Sequence, residues 1–329
     1  MAGYHELLKS LFQDSVESYL EGSERDVTFG HMIQSLLLSV RCQDLRYSLD
    51  RPADGPEIAF LSRILDRILA EERFRIQGVF FIISRLLSAL NYFRHGRIDK
   101  PSYDLGCYDG GTSSLVFAER HDYGSDPLMP DGFQSPFHDV FIGGDAEHIA
   151  LPDSSLATVV MNNVIYHVGN RSRVFGEVMR VLKPGGRLYF DDITSEFYDI
   201  RNRPFLNLLH AIGGHDVANA FLWGRSAAYG QASTANLLNV PTAAQSEALL
   251  AQAGFIQVTT RPYFSRALIR LAYAFHDIDH ITHSGRSFSR YSDTQRAWLY
   301  DVLLGRIAND SGACGDGHGA LFFAATKPA

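Results

Sequence analysis

The segment YDLGCYDGGTS at 103–113 constrains the fold more than any other stretch of this chain. Tyr103 to Cys107 is a short apolar run ending in glycine, as a buried parallel strand ends in a tight turn before its helix. Gly106, Gly110 and Gly111 carry no Cβ, so the backbone can turn with positive φ and approach a ligand, and the following helix would offer free N–H groups. Asp126 follows Asp104 by 22 residues, in DYGSDP, where a second strand would end. A carboxylate at that place can accept hydrogen bonds from both hydroxyls of a ribose. The order strand, glycine turn, helix, strand, acid therefore predicts a nucleoside pocket.

Three further blocks follow in order: GSDP at 124–127, DAEHIALPDSSLATVVMNNVIYHV at 145–168, and EVMRVLKPGGRLYFDD at 177–192. Together with DLGCYDGG at 104–111 they resemble the class I S-adenosylmethionine (SAM)-dependent methyltransferases. The last two blocks are similar to the small-molecule branch typified by ubiquinone and sterol methyltransferases. The resemblance covers 102–193 and continues faintly in SEALLAQAGFIQV at 246–258 and GALFFAATKP at 319–328. It implies a Rossmann-like seven-stranded sheet of order 3-2-1-4-5-7-6 with the last strand antiparallel. The same resemblance implies SAM as cofactor, lying across the carboxyl ends of strands 1 and 2. Carried over residue by residue, it implies cofactor contacts at Asp104, Gly106, Tyr108, Gly110, Asp126, Asp145, Ala146 and Asn162. Asp145 would accept from the exocyclic amine of adenine, and the backbone of Ala146 would bond a ring nitrogen.

One departure matters. Where the family reads GxGxG, this chain has Gly106, Tyr108 and Gly110, so the middle glycine is a tyrosine. Tyr108 could set its ring face against the sulfonium, an attraction worth ~0.5–2 kcal/mol. It could equally turn back into the helical layer and fill space with only its hydroxyl wet. Beyond strand 4 the chain reads Asn162, Asn163, Val164, Ile165, Tyr166, His167. With an ordinary pKa near ~6.5, His167 could take a proton from a hydroxyl or amine, or could position the substrate instead. Tyr108, Asn163, Tyr166 and His167 are the candidate catalytic residues, and the segment lacks the Pro-Pro-Tyr of enzymes that methylate adenine or glutamine amines.

Composition bounds the partners. With 329 residues, 46% of them hydrophobic, the chain can bury a large core and has room for one catalytic domain plus a substantial addition. A net charge of -7, with lysines only at 9, 100, 183 and 327, argues against a nucleic-acid groove. Cys42, Cys107 and Cys314 suit neither a disulfide framework nor a zinc motif, and no signal peptide opens the sequence, so a reducing cytoplasm is expected. The apolar run 78–90 contains Arg85 and is shorter than the ~20 residues of a spanning helix, so a buried helix and no membrane contact are expected.

Apolar residues at helical spacing, such as Phe60, Leu61, Ile64, Leu65 and Ile68, mark 1–101 as a helical extension or lid. The SAM-binding domain would then span 102–329, with helical caps inserted at about 194–241 and 265–317. His276, His280 and His283 in FHDIDHITH would share one helical face. Sulfonium chemistry needs no Lewis acid, so hydrogen-bonded helix residues are expected there and no metal. The reaction expected first is methyl transfer from SAM to a small-molecule nucleophile in specialised metabolism. Two alternatives stay open: cyclisation of SAM itself to azetidine-2-carboxylate with release of methylthioadenosine, and SAM binding without turnover.

Overall fold

A computed structural model describes residues 55–70, 78–117, 120–130, 132–193, 240–263, 304, 307 and 320–329. The chain divides into two compact units, one made of 1–84, 199–225 and 266–313, the other of 85–198, 226–265 and 314–329. That division falls at 84/85, earlier than the boundary at 101/102 expected from the sequence. The histidines at 276, 280 and 283 and nearly all of the two expected caps lie outside the described residues.

In the first unit, helix α1 (Pro56–Ala70) buries Phe60, Leu61, Ile64, Leu65, Ile68 and Leu69, the stripe that a spacing of three and four residues creates. Helix α2 (Gly78–His95) follows, and from Arg85 onward it belongs to the second unit. No helix of the described residues is long and apolar enough to cross a membrane.

The second unit is built on one sheet. Its strands are β1 (Ser102–Leu105), β2 (His121–Ser125), β3 (His138–Ile142), β4 (Leu156–Asn162), β5 (Leu182–Ile193), β6 (Ile256–Pro262) and β7 (Ala320–Thr326). They lie in the order β3-β2-β1-β4-β5-β7-β6, the topology the sequence blocks imply. The first five run parallel, and β7 runs antiparallel to both β5 and β6. Helices α3 (Gly111–Val116), α4 (Arg171–Val181) and α5 (Ala243–Gln252) connect them.

Burial on both faces explains the nearly continuous apolar run of β4 and the apolar stretch Leu188, Tyr189 and Phe190 within β5. On one face Phe190 of β5 stacks on Phe323 of β7 at 4.4 Å and meets Phe175 of α4 at 5.5 Å, with Leu250 of α5 in the same cluster. On the other, Tyr92 of α2 sets its edge against Phe117 and Phe322 at 4.5 and 5.0 Å, beside Tyr189. Two layers of helix thus fix the strands, and their carboxyl ends carry the loops in which the motifs lie.

Candidate active site

The glycine turn is tied to β2 and not left open. The N–H groups of Gly106 and Cys107 both donate to the Ser125 carbonyl, at 2.8 and 3.0 Å. Tyr108 N–H donates to Asp126 Oδ2 at 2.8 Å, and Leu128 N–H donates to Oδ1 at 2.9 Å. Gly111 N–H, expected to await a ligand, is instead taken by Asp109 Oδ1 at 2.8 Å. Tyr108 adopts φ +54°, a left-handed conformation suited to the glycine the family has there. Its backbone follows the family turn while its ring projects, 53% exposed. That exposure excludes a ring packed into the helical layer.

Two of the glycines serve the interior. A Cβ on Gly106 would lie 2.8 Å from both methyls of Val164, so the turn after β1 rests directly on the segment after β4. A Cβ on Gly110 would strike the His138 ring and come within 2.9 Å of Ser135 Oγ.

Asp126 is 8% exposed, flanked by exposed Tyr108 and by Leu128 at 59%. Burial raises its pKa most, with Asp104 adding to the rise, while the two N–H donors hold it down. A carboxylate anchored by backbone donors between an aromatic and an aliphatic surface fits the mixed polarity of a nucleoside. Asp145, beyond β3, has a 54% exposed side chain that accepts from Glu147 N–H at 2.7 Å, and Ala146 beside it is buried.

The other predicted residues separate into two groups. Asp104 is fully buried beneath the turn, its Oδ2 3.0 Å from His138 Nε2. Asp104, Cys107 and His138 bring ligand atoms within 4.8 Å of one another, a spacing a metal ion can use, although both His138 nitrogens already face Ser135 and Asp104. Asn162 is likewise engaged inside: its amide nitrogen donates to Ser88 Oγ at 2.6 Å and to Asp191 at 2.9 Å, and its oxygen accepts from Arg85.

Asn163 is half-buried with φ +57°, and its N–H donates to the Asp191 carbonyl at 3.1 Å. This bend leads into a 3-10 turn, Ile165–His167, in which the Tyr166 and His167 rings lie 3.9 Å apart. Surrounding protein lowers the His167 pKa to about 4 through desolvation, and solvent reaching this exposed residue screens part of that effect. The ring is therefore neutral at pH 7, the state a proton acceptor needs.

Sequence reading missed Ser88, Asp191 and Tyr263. Asp191 is buried at the carboxyl end of β5 and accepts from Ser88 Oγ at 2.5 Å, Tyr263 Oη at 3.0 Å and the Asn162 amide. Burial raises its pKa, and the Ser88 bond, the Arg85 charge and the Tyr263 bond oppose the rise. The pair Asp191-Asp192 ending an apolar strand was the available signal, because a carboxylate there must find donors. His138 and Ser135 were missed as well.

Sheet order and motif placement are those implied by the resemblance to class I SAM-dependent methyltransferases. Residues 103–190 match the methyltransferase domain family. A sterol 24-C-methyltransferase, erg-4 of Neurospora crassa, is 28% identical over 136 residues, 37% of this chain and 35% of that protein. The chain thus spans about a third of the curated relative it matches. Among solved structures, a Thermotoga maritima SAM-dependent methyltransferase, a possible histamine N-methyltransferase, shares 14% identity with a TM-score of 0.41, covering 82% of this chain and 99% of that one. Haemonchus contortus phosphoethanolamine N-methyltransferase 2, in complex with phosphomonomethylethanolamine and S-adenosylhomocysteine, shares 17% with a TM-score of 0.45, covering 84% and 61%. Residues 103–190 thus carry a methyltransferase domain, set in a sheet of the order that the class I SAM-dependent resemblance implies.

Proposed function

We propose that this protein transfers the methyl group of SAM to a small-molecule nucleophile. The observation that carries the reading is the Asp126 carboxylate, held at the end of β2 by the Tyr108 and Leu128 N–H groups beside two exposed apolar side chains. Asp126 accepts from the ribose hydroxyls, while Asp145 and the Ala146 backbone hold the adenine. SAM when bound supplies a methyl carbon on a cationic sulfur, open to in-line attack. The exposed Tyr108 ring would offer its π face to that charge. Asn163 and Tyr166 orient the acceptor, and neutral His167 takes the proton that a hydroxyl or amine loses. A net charge of -7 and four lysines favour a small acceptor over a nucleic acid.

The test combines the protein, SAM and fractionated small-molecule extracts, with S-adenosylhomocysteine measured by mass spectrometry. Acceptor-dependent S-adenosylhomocysteine supports the proposal. Methylthioadenosine formed from SAM alone overturns it in favour of internal cyclisation, and intact bound SAM with every fraction points to binding without turnover. Asp126→Ala should weaken SAM by ~1.5–3 kcal/mol, about ten- to a hundredfold in calorimetric Kd, through loss of charge-assisted ribose bonds.

A further inference from the structure

Counting hydrogens around His138 leads to a role that no sequence motif announces. Ser135 Oγ lies 2.8 Å from the Asp109 carbonyl, which can only accept, so the single hydroxyl hydrogen points there. Phe137 N–H donates to the same oxygen at 3.1 Å. His138 Nδ1, 2.9 Å from Ser135 Oγ, must therefore carry its own hydrogen and donate. On the far side of the ring, Nε2 is 3.0 Å from Asp104 Oδ2, and this contact needs a second hydrogen. Ring and carboxylate are both shielded from solvent, with side chains 1% and 0% exposed.

The ring is also clamped. A Cβ on Gly124 would lie 2.7 Å from its Cγ, and one on Gly110 would lie 2.8 Å from its Nδ1. The His121 ring lies roughly parallel at 6.4 Å, Cys107 brings its thiol within 4.8 Å, and Arg120 donates to the His138 carbonyl. His138, the first residue of β3, thereby joins β1 through Asp104 to the glycine turn through Ser135 and Asp109. Tyr108 lies one residue before Asp109 in that turn, and its N–H holds Asp126.

We infer that His138 is a positioning residue for the cofactor turn, a hydrogen-bonded strut between Asp104 and Ser135. The inference rests on the reading that this turn holds SAM. It is a support beneath the site, not a catalytic residue, since it reaches no ligand-facing surface.

Four variants and nitrogen NMR test it. His138→Asn keeps a donor where Nδ1 stands and so retains the bond to Ser135, whereas His138→Gln keeps a donor toward Asp104 and loses the link to the turn. Calorimetric titration with SAM should show Kd raised tenfold or more in His138→Gln and within about threefold of the parent in His138→Asn. Near-parental Kd in both, with Asp126→Ala weakened, overturns the inference and leaves the SAM reading intact. Unchanged Kd in Asp126→Ala overturns that reading instead. If the His138 variants do not fold, nitrogen NMR of histidine-labelled parent protein at pH 7 decides, its His138 signal assigned by comparison with Asp104→Asn. A protonated Nδ1 is expected, and a bare Nδ1 overturns the strut.

Discussion

At residue scale, Tyr108 joins two properties that seldom coincide: a backbone in the glycine region at φ +54° and a large ring left 53% exposed. Holding a non-glycine residue there costs of order 1–3 kcal/mol, and such outliers persist where the surroundings over-determine them. Here the fixing bond is Tyr108 N–H to Asp126. If the ring faces the sulfonium, Tyr108→Ala should weaken SAM by ~0.5–2 kcal/mol, whereas Tyr108→Phe, which keeps the π face, should bind as the parent does. Calorimetric titration of both checks this, and an unchanged Kd in Tyr108→Ala removes the ring from the site. Asp126 and Tyr108 were legible because each stands at a fixed offset from one glycine turn. His138, 34 positions beyond its partner Asp104, was not. Its partnership depends on which strands become neighbours, and a lone histidine before an apolar run carries no spacing signal of its own.

At the scale of elements, the sheet order was readable because each strand ends in its own recognisable block. The sequence also marked 78–90 as a buried helix, and α2 extends it to His95. What it could not convey is that this helix supplies donors to the sheet. Ser88 donates to Asp191 at 2.5 Å and Tyr263 does so at 3.0 Å, so a buried carboxylate on β5 is satisfied from α2 and from the end of β6. Such a network forms only after packing, and local periodicity is blind to it. Removing a donor to a buried charge costs about 1.5–3 kcal/mol. Ser88→Ala and Tyr263→Phe should each destabilise by that amount in urea unfolding. Because both serve one carboxylate, the double variant should depart from additivity by ~0.5–3 kcal/mol. Strict additivity would mean that Asp191 does not couple them.

For the molecule as a whole, one source of acid sensitivity is the buried imidazole of His121. Ser102 Oγ directs its hydrogen to Asp122 Oδ2 at 3.1 Å, so His121 Nδ1, 3.2 Å from that hydroxyl, is the donor in their contact. His121 Nε2 is then the bare nitrogen, and it is buried with no hydrogen-bond partner. Protonating it places a cation where nothing accepts its hydrogen. Desolvation accordingly lowers its pKa to about 4, against the pull of Asp104 and with the help of His138 and Lys100. A folded pKa below the unfolded value means that the unfolded chain takes up the proton first. The stabilisation is therefore complete above about pH 6.5 and is lost as pH falls toward 4. Its size is at most roughly 3 kcal/mol, because each tenfold loss of proton affinity on folding is worth ~1.4 kcal/mol. His121→Phe keeps an aromatic ring beside Phe117, whose centroid lies 4.7 Å away, and removes the proton-binding nitrogen. The variant should be less stable than the parent at pH 7.5, where the bond to Ser102 is missed, yet should lose less stability between pH 6.5 and 4.5. Urea unfolding at a series of pH values measures both slopes. Parallel slopes would show that the acid sensitivity arises elsewhere, and a steeper slope in the variant would reverse the sign of the His121 contribution.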